Sequence, residues 1–271
     1  MNKLLAWLLL LVLTIAGSGL IQEHRVDSQT ETTIEQAVNF QQHFDDLGIN
    51  GSIVIYDLAR DSYYQHNPSR NNTAFLPAST YKIPNSLIAL ETRVIKDDVA
   101  ILTWDGIERD LEQWNQDLNL RLAFKYSAVW FYQVLARRIS HQRMQNFVDR
   151  IQYGNQNIGA TENLDNFWLS GELRITPQEQ IAFLRRLYQN DLPFSQRNLD
   201  LVKDIAIAEQ TPDYVLRGKT GATSEIGWYV GYLEQNDNVY FFATNIDLGA
   251  EQDLAARLKV TRLCLQDLGL L

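Results

Sequence analysis

One cysteine, Cys264, stands in 271 residues, so no disulfide can form within the chain and the fold must hold by its core. The lone sulfur sits in a helix-like stretch near the end and reads as a buried thiol. Histidine is nearly as scarce. His24, His43, His66 and His141 show no paired ligand spacing, so no zinc or other metal is expected. Positive charge is also short: 24 Lys and Arg against 33 Asp and Glu give a net charge of −9 and a sequence pI near 5.0. That balance excludes the broad basic face a nucleic acid needs and points to a small-molecule partner, with any cationic site built locally. Low-complexity tracts, charge blocks, internal repeats and Pro- or Ser-rich linkers are missing, so the chain offers no boundary between independent domains.

What is present begins with the one long apolar run. "MNKLLAWLLLLVLTIAGSG" combines a lysine near the start, apolar residues from Leu4 to Ala16 and small residues suited to a peptidase, the pattern of a secretory signal. An uncleaved anchor is the alternative, since the run extends through Leu20 and Ile21 to a length that begins to span a bilayer. The expectation is a signal peptide over residues 1–22, export to the periplasm and a single catalytic domain over 23–271, with no stable membrane partner after cleavage. At 45% hydrophobic residues, the remainder is ample for one sizeable core.

"GSIVIYDL" from Gly51 to Leu58 reads as a strand, and "SYYQHN" suits its partner. Thr80 to Arg93 and several segments between Ile101 and Leu192 carry helical patterns. Thr176, Pro177 and Glu179 supply an N-cap, an N1 proline and a capping-box acid ahead of "QIAFLRRLY". "DYVLRGKTG", "GWYVGYLEQ" and "NVYFFATNI" then read as an antiparallel meander. Leu254, Leu258, Leu265 and Leu268 fall near helical spacing, which suits a last helix covering that sheet. The layout is α+β: an antiparallel sheet flanked by terminal helices, plus a mostly helical subdomain.

Within this frame "LPASTYKIPNSLIALE" sets Ser79 and Lys82 three apart where a loop turns into an apolar helix, a spacing at which the side chains touch. A serine hydroxyl needs an adjacent base to become a nucleophile, and Lys82 qualifies if it is neutral. Phe75, Tyr81, Ile83 and Leu87 surround it with apolar character that penalises an ammonium ion. A helix N-terminus beside the serine also offers N–H groups to a developing oxyanion. The plainer reading of Ser79 is a helix cap, and S-x-x-K alone does not exclude it.

Two further motifs follow in order. "YSAVWF" carries Ser127 and Val129, and "LRGKTGATS" carries Lys219, Thr220 and Gly221; S-x-x-K, a second serine motif and K-T-G together mark penicillin-recognising serine enzymes. Ser127 suits proton transfer to a leaving nitrogen. A strand bearing Lys-Thr-Gly presents a cation and a hydroxyl to a carboxylate, while its glycine lets a substrate amide lie close. A phosphate loop ending at Lys219-Thr220 fails, because its first glycine would fall at Asp213.

From about Val38 to the C-terminus the sequence resembles the class D β-lactamases, or oxacillinases. "YGN" at Tyr153–Asn155, "DNFWL" around Trp168 and "GWYVG" at Gly227–Gly231 match that class, and S-A-V replaces the S-D-N of class A. The resemblance implies a serine β-lactamase fold and hydrolysis of penicillin-type antibiotics through an acyl-enzyme on Ser79. It also implies Lys82 N-carboxylated by carbon dioxide as general base, with no other cofactor, and Trp168 donating from its indole to that group. Val129, Trp168 and Phe124 or Leu169 are then the apolar walls of a dry pocket. Ser127 becomes the proton relay, Lys219, Thr220 and Arg257 the carboxylate site, and the Ser79 and Ala222 amides the oxyanion hole. Arg257 is matched by its spacing from Asn245, against the simpler reading of a solvated helix arginine. Tyr153, Asn155 and Gly221 complete the expected lining, though a turn would explain Tyr153 and Asn155 equally well. Tyr81 stands where many relatives carry Phe, and Ala222 where several carry a bulkier residue. The rivals are a penicillin-binding transpeptidase or carboxypeptidase and a β-lactam sensor domain, both acylated without rapid turnover.

Overall fold

Seven buried residues from Gly51 to Asp57 form strand β1, and β2 (Ser62–His66) folds back on it with Ile53 opposite His66. Ile53 and Ile55 belong to one apolar cluster, Val54 and Tyr56 to another. β1 reads as a continuous apolar run because both faces of its sheet are covered. β3 (Ile207–Gln210) is a strand the sequence did not announce, since four residues carry no measurable period. β4 (Tyr214–Ala222), β5 (Ile226–Gln235) and β6 (Asn238–Asp247) are the expected meander. The strands form one antiparallel sheet in the order β2-β1-β6-β5-β4-β3. This computed structural model describes residues 38–249 and 254–271. The signal read over residues 1–22 lies outside them.

The helices are α1 (Gln41–Asp46), α2 (Pro68–Asn71), α3 (Lys82–Glu91), α4 (Leu120–Lys125), α5 (Val129–Ile139), α6 (His141–Ile151), α7 (Pro177–Tyr188), α8 (Gln196–Ile205) and α9 (Ala256–Asp267). α1 and α9 cover one sheet face, where Phe44, Val260 and Leu265 pack with Ile53, Ile55 and Phe242. The other face joins Val54, Trp228 and Val230 to the helical subdomain through residues such as Leu87, Phe131 and Leu184. The α+β expectation therefore describes the molecule. The capping box of α7 is complete: the Glu179 N–H donates to Thr176 Oγ1 at 3.1 Å, and the Thr176 N–H to Glu179 Oε2 at 2.8 Å.

The inward face of α9 follows the leucine stripe only in part, with Leu265 buried and Leu258 and Leu268 packed at its edge. Leu254 is 54% exposed, whereas Ala256, Arg257, Val260, Thr261, Cys264 and Leu265 are buried. Small residues let this helix lie close on the sheet, and Thr261 and Thr244 hydroxyls meet across the contact at 2.6 Å. A hydrophobicity stripe overlooks a face built from Ala, Thr and Cys. The buried Cys264 thiol has the place expected of it.

Candidate active site

The helix read from Thr80 begins differently in the structure: Ala78–Tyr81 form a 3-10 turn, and α3 starts at Lys82. In a 3-10 turn residues three apart eclipse. Lys82 Nζ accordingly lies 2.7 Å from Ser79 Oγ. Ser79 makes no side-chain cap bond to α3, so the contact with lysine replaces the capping role a serine at this place would ordinarily take. The turn is pinned from three sides. The Ala78 N–H donates to the Trp168 carbonyl at 2.9 Å, Trp228 Nε1 donates to the Leu76 carbonyl at 2.9 Å, and Gln180 on α7 donates to Thr80 Oγ1 at 2.9 Å.

Lys82 is wholly buried, with its amine 5.2 Å from the Tyr132 ring centroid. Burial, reinforced by the charge of Lys219, holds its pKa well below the ordinary lysine value. Trp168 is likewise fully buried; its ring stacks on Tyr81, and its Nε1–H has no acceptor among the described residues. An unpaired buried donor is costly, so the Trp168 Nε1–H calls for an acceptor that the described side chains do not provide.

Ser127 occupies an unusual backbone position. The chain leaves α4 through a Schellman motif, with the Ser127 N–H on the Phe124 carbonyl at 3.2 Å and the Ala128 N–H on the Ala123 carbonyl at 2.9 Å. Ser127 takes the left-handed position at φ 57°, where glycine is the low-cost choice and another residue costs roughly 1 kcal/mol. The Ser127 Oγ is buried without a partner among the described residues. Val129 opens α5 one turn before Tyr132, on the helix face that meets Lys82.

β3 pairs with β4 only from Val215 to Arg217, so Lys219 to Ala222 run on as an edge beyond it. That edge meets the serine turn. A Cβ placed on Gly221 would lie 3.1 Å from the Pro77 carbonyl and from the backbone nitrogens of Ser79 and Thr80, a gap only glycine leaves. Lys219 is buried, with Nζ 5.5 Å from the Phe124 ring centroid and donating to the Thr220 carbonyl at 3.0 Å. Burial first, then Arg257, lowers its pKa to about 7. Arg257 is 8% exposed, which removes the solvated-arginine reading, and its Cδ lies over Gly227, opposite Ala222 in the sheet. Burial lowers its pKa to about 10, and Nε and Nη1 have no partner among the described residues. Cations gathered without counter-ions make a site prepared for anions.

Comparison with known proteins gives the family. The family model for the penicillin-binding-protein transpeptidase domain matches residues 35–266. The β-lactamase OXA-48 of Klebsiella pneumoniae is 43% identical over 83% of this chain and 85% of its own, and OXA-5 of Pseudomonas aeruginosa is 39% identical over 84% and 88%. A solved class D β-lactamase from Nostoc is 61% identical, with a TM-score of 0.85 over 86% of this chain and all of its own. The chain belongs to the class D β-lactamases.

Two expected lining residues make contacts within the protein. Tyr153 is fully buried, its ring edge-on to Tyr81 and Phe183, and its hydroxyl has no partner among the described residues. Asn155 donates to the Glu172 carbonyl at 2.9 Å and accepts from the Arg174 N–H at 3.0 Å. It pins a loop, as the turn reading allowed. Phe124 is buried beneath Lys219, while Leu169 is half-buried at the edge of the core. Thr80, Gln180, Tyr132 and Trp228 position the site and escaped the sequence reading. Each makes a hydrogen bond or ring contact to a segment distant in sequence, which leaves no local spacing to detect.

Proposed function

We propose that the chain hydrolyses the β-lactam amide through an acyl-enzyme on Ser79. The 2.7 Å contact between Ser79 Oγ and a buried Lys82 amine carries the reading. Lys82, whose neutral form burial favours, is the base for the hydroxyl proton as Oγ attacks the lactam carbonyl, a role its N-carboxylated form would fill. The carbonyl oxygen, becoming negative, meets the backbone amides of Ser79 and Ala222. As the C–N bond breaks, Ser127 passes a proton to the departing nitrogen, and the ring carboxylate stays on Lys219, Thr220 and Arg257. Water then cleaves the Ser79 ester and restores the free hydroxyl.

The residues around Lys82 fit N-carboxylation. Addition of carbon dioxide needs a neutral amine in a dry pocket, and the new anion needs a donor, which the unpaired Trp168 Nε1–H supplies. Such a carboxylate would supply an anionic base for the water step. Export with removal of residues 1–22 belongs to the same reading, and N-terminal sequencing of the periplasmic protein checks it.

The test is turnover of a chromogenic cephalosporin by the chain lacking residues 1–22, with and without bicarbonate, alongside intact mass. Many turnovers stimulated by bicarbonate are expected. One equivalent of stable adduct on Ser79 would instead mean a sensor or a penicillin-binding transpeptidase, and neither turnover nor adduct would end the proposal.

A further inference from the structure

The hydroxyl of Ser127, the proton relay proposed above, makes no hydrogen bond of its own among the described residues, so the backbone sets its direction. That backbone lies in the left-handed region at φ 57°, a conformation that a residue with a Cβ keeps only where its surroundings fix it. The peptide after Ser127 is held by the Ala128 N–H on the Ala123 carbonyl, and the peptide before it by the Ser127 N–H on the Phe124 carbonyl. The other end of that preceding peptide is the Tyr126 carbonyl, which accepts from the Trp114 indole Nε1–H at 2.9 Å. Trp114 ends a short 3-10 turn, Glu112–Trp114, in the segment between α3 and α4. The carbonyl of Trp114 in turn accepts from Nε1 of Trp130 at 2.9 Å, and Trp130 lies on α5, just beyond Ser127.

Two indole bonds thus grip the chain on either side of Ser127. The segment that supplies Trp114 is stiffened from within: Arg109 donates to both Asp105 carboxylate oxygens, at 2.9 and 2.7 Å, and Asn115 Nδ2 donates to the Arg109 carbonyl at 2.8 Å. The Arg109 guanidinium also lies 5.7 Å from the centroid of the buried Trp130 ring. We infer that Trp114, braced by Trp130, is a positioning residue for Ser127, whose hydroxyl it keeps in the direction the relay uses. Without the indole bond the Tyr126 carbonyl is free to turn to water, the peptide can flip, and Ser127 can return to a negative φ that swings its Cβ and hydroxyl away. The plainer role of the indole is to close a carbonyl left open at the end of α4. The two roles differ in what they do to acylation of a folded protein. The inference rests on the proposed Ser127 relay and names the residue that holds it in place.

The test reads kcat/KM for a chromogenic cephalosporin, which reports formation of the acyl-enzyme, beside the decay rate of that adduct in quenched intact-mass samples and the melting temperature. Trp114→Phe keeps an aromatic ring and removes the N–H. It should lower kcat/KM by roughly three- to tenfold, the worth of one hydrogen bond, and leave the decay of the adduct unchanged. In a Ser127→Ala background the same substitution should change kcat/KM by less than about twofold, because its effect passes through a hydroxyl that is no longer there. Trp130→Phe should act in the same direction and by less, and it carries the test if Trp114→Phe melts below the assay temperature. An equal fall in both backgrounds, or kcat/KM unmoved in well-folded Trp114→Phe, overturns the inference and leaves the hydrolysis intact. Ser127→Ala acylated at the unaltered rate removes the relay and this inference together, with Ser79 still the nucleophile. An unaltered protein that forms no adduct and shows no turnover overturns the proposed hydrolysis itself.

Discussion

Replacing Trp168 by Phe separates the two jobs the indole has in this account. In protein free of carbon dioxide, the Nε1–H is buried and unpaired, and removing it relieves about 1–3 kcal/mol of desolvation cost. The smaller ring gives back about 1–2 kcal/mol of lost burial. The two nearly cancel, so the melting temperature in bicarbonate-free buffer should move by less than about 4 °C. With Lys82 carboxylated the same change removes a hydrogen bond to a charged group, worth about 1.5–3 kcal/mol. At about 1.4 kcal/mol per tenfold, the bicarbonate concentration for half-maximal turnover should rise by roughly 10- to 150-fold. The assay is steady-state hydrolysis in degassed buffer against graded bicarbonate, beside thermal melts of the same samples. Unchanged bicarbonate dependence in a well-folded Trp168→Phe protein would refute the role given to the indole.

Ser79→Ala should abolish covalent adduct formation with a β-lactam in intact-mass spectra, since among the described residues only the Ser79 hydroxyl is hydrogen-bonded to the Lys82 amine, at 2.7 Å. Gly221→Ala should cut kcat/KM by at least about tenfold with a small effect on melting, because its Cβ would press on the Ser79 amide from the sheet edge. Lys219 has its pKa lowered to about 7 by burial, while the unfolded chain restores about 10.4. Between those values unfolding takes up a proton, so this residue makes stability rise with pH by up to about 1.4 kcal/mol per unit. Lys219→Met should flatten melting temperature against pH between about 7.5 and 9.5, and equal slopes would contradict the burial argument. Thr176→Ala should cost about 1 kcal/mol through loss of the α7 cap, read as a fall of about 2–4 °C in melting temperature.

The elements that could be read in advance were those with a local cause. β1, the meander and the α7 capping box announce themselves through period, turn residues and a hydrogen-bonded pair three residues apart. Ser79 and Lys82 were legible for the same reason, and their expected contact is made from a 3-10 turn rather than within the helix. Arg257 was not settled, because its burial follows from an α9 face on which Ala, Thr and Cys stand beside Leu265. Tyr153 and Asn155 matched a family motif, yet their partners are Tyr81, Phe183, Glu172 and Arg174. A motif marks which residues recur together; it does not say which of them face the substrate. Ser127 shows the reverse case. Its left-handed position looked like no signal at all in the sequence, because the Schellman motif it completes lacks the glycine that usually marks one.

The central claim is that Lys82 carries a carboxylate derived from carbon dioxide, and it is tested most directly by carbon-13 NMR of the purified protein equilibrated with labelled bicarbonate. A protein-bound carbamate resonance should appear, fade on degassing as turnover fades, and be absent from Lys82→Ala. Full turnover at a bicarbonate concentration where no such resonance can be found would contradict it.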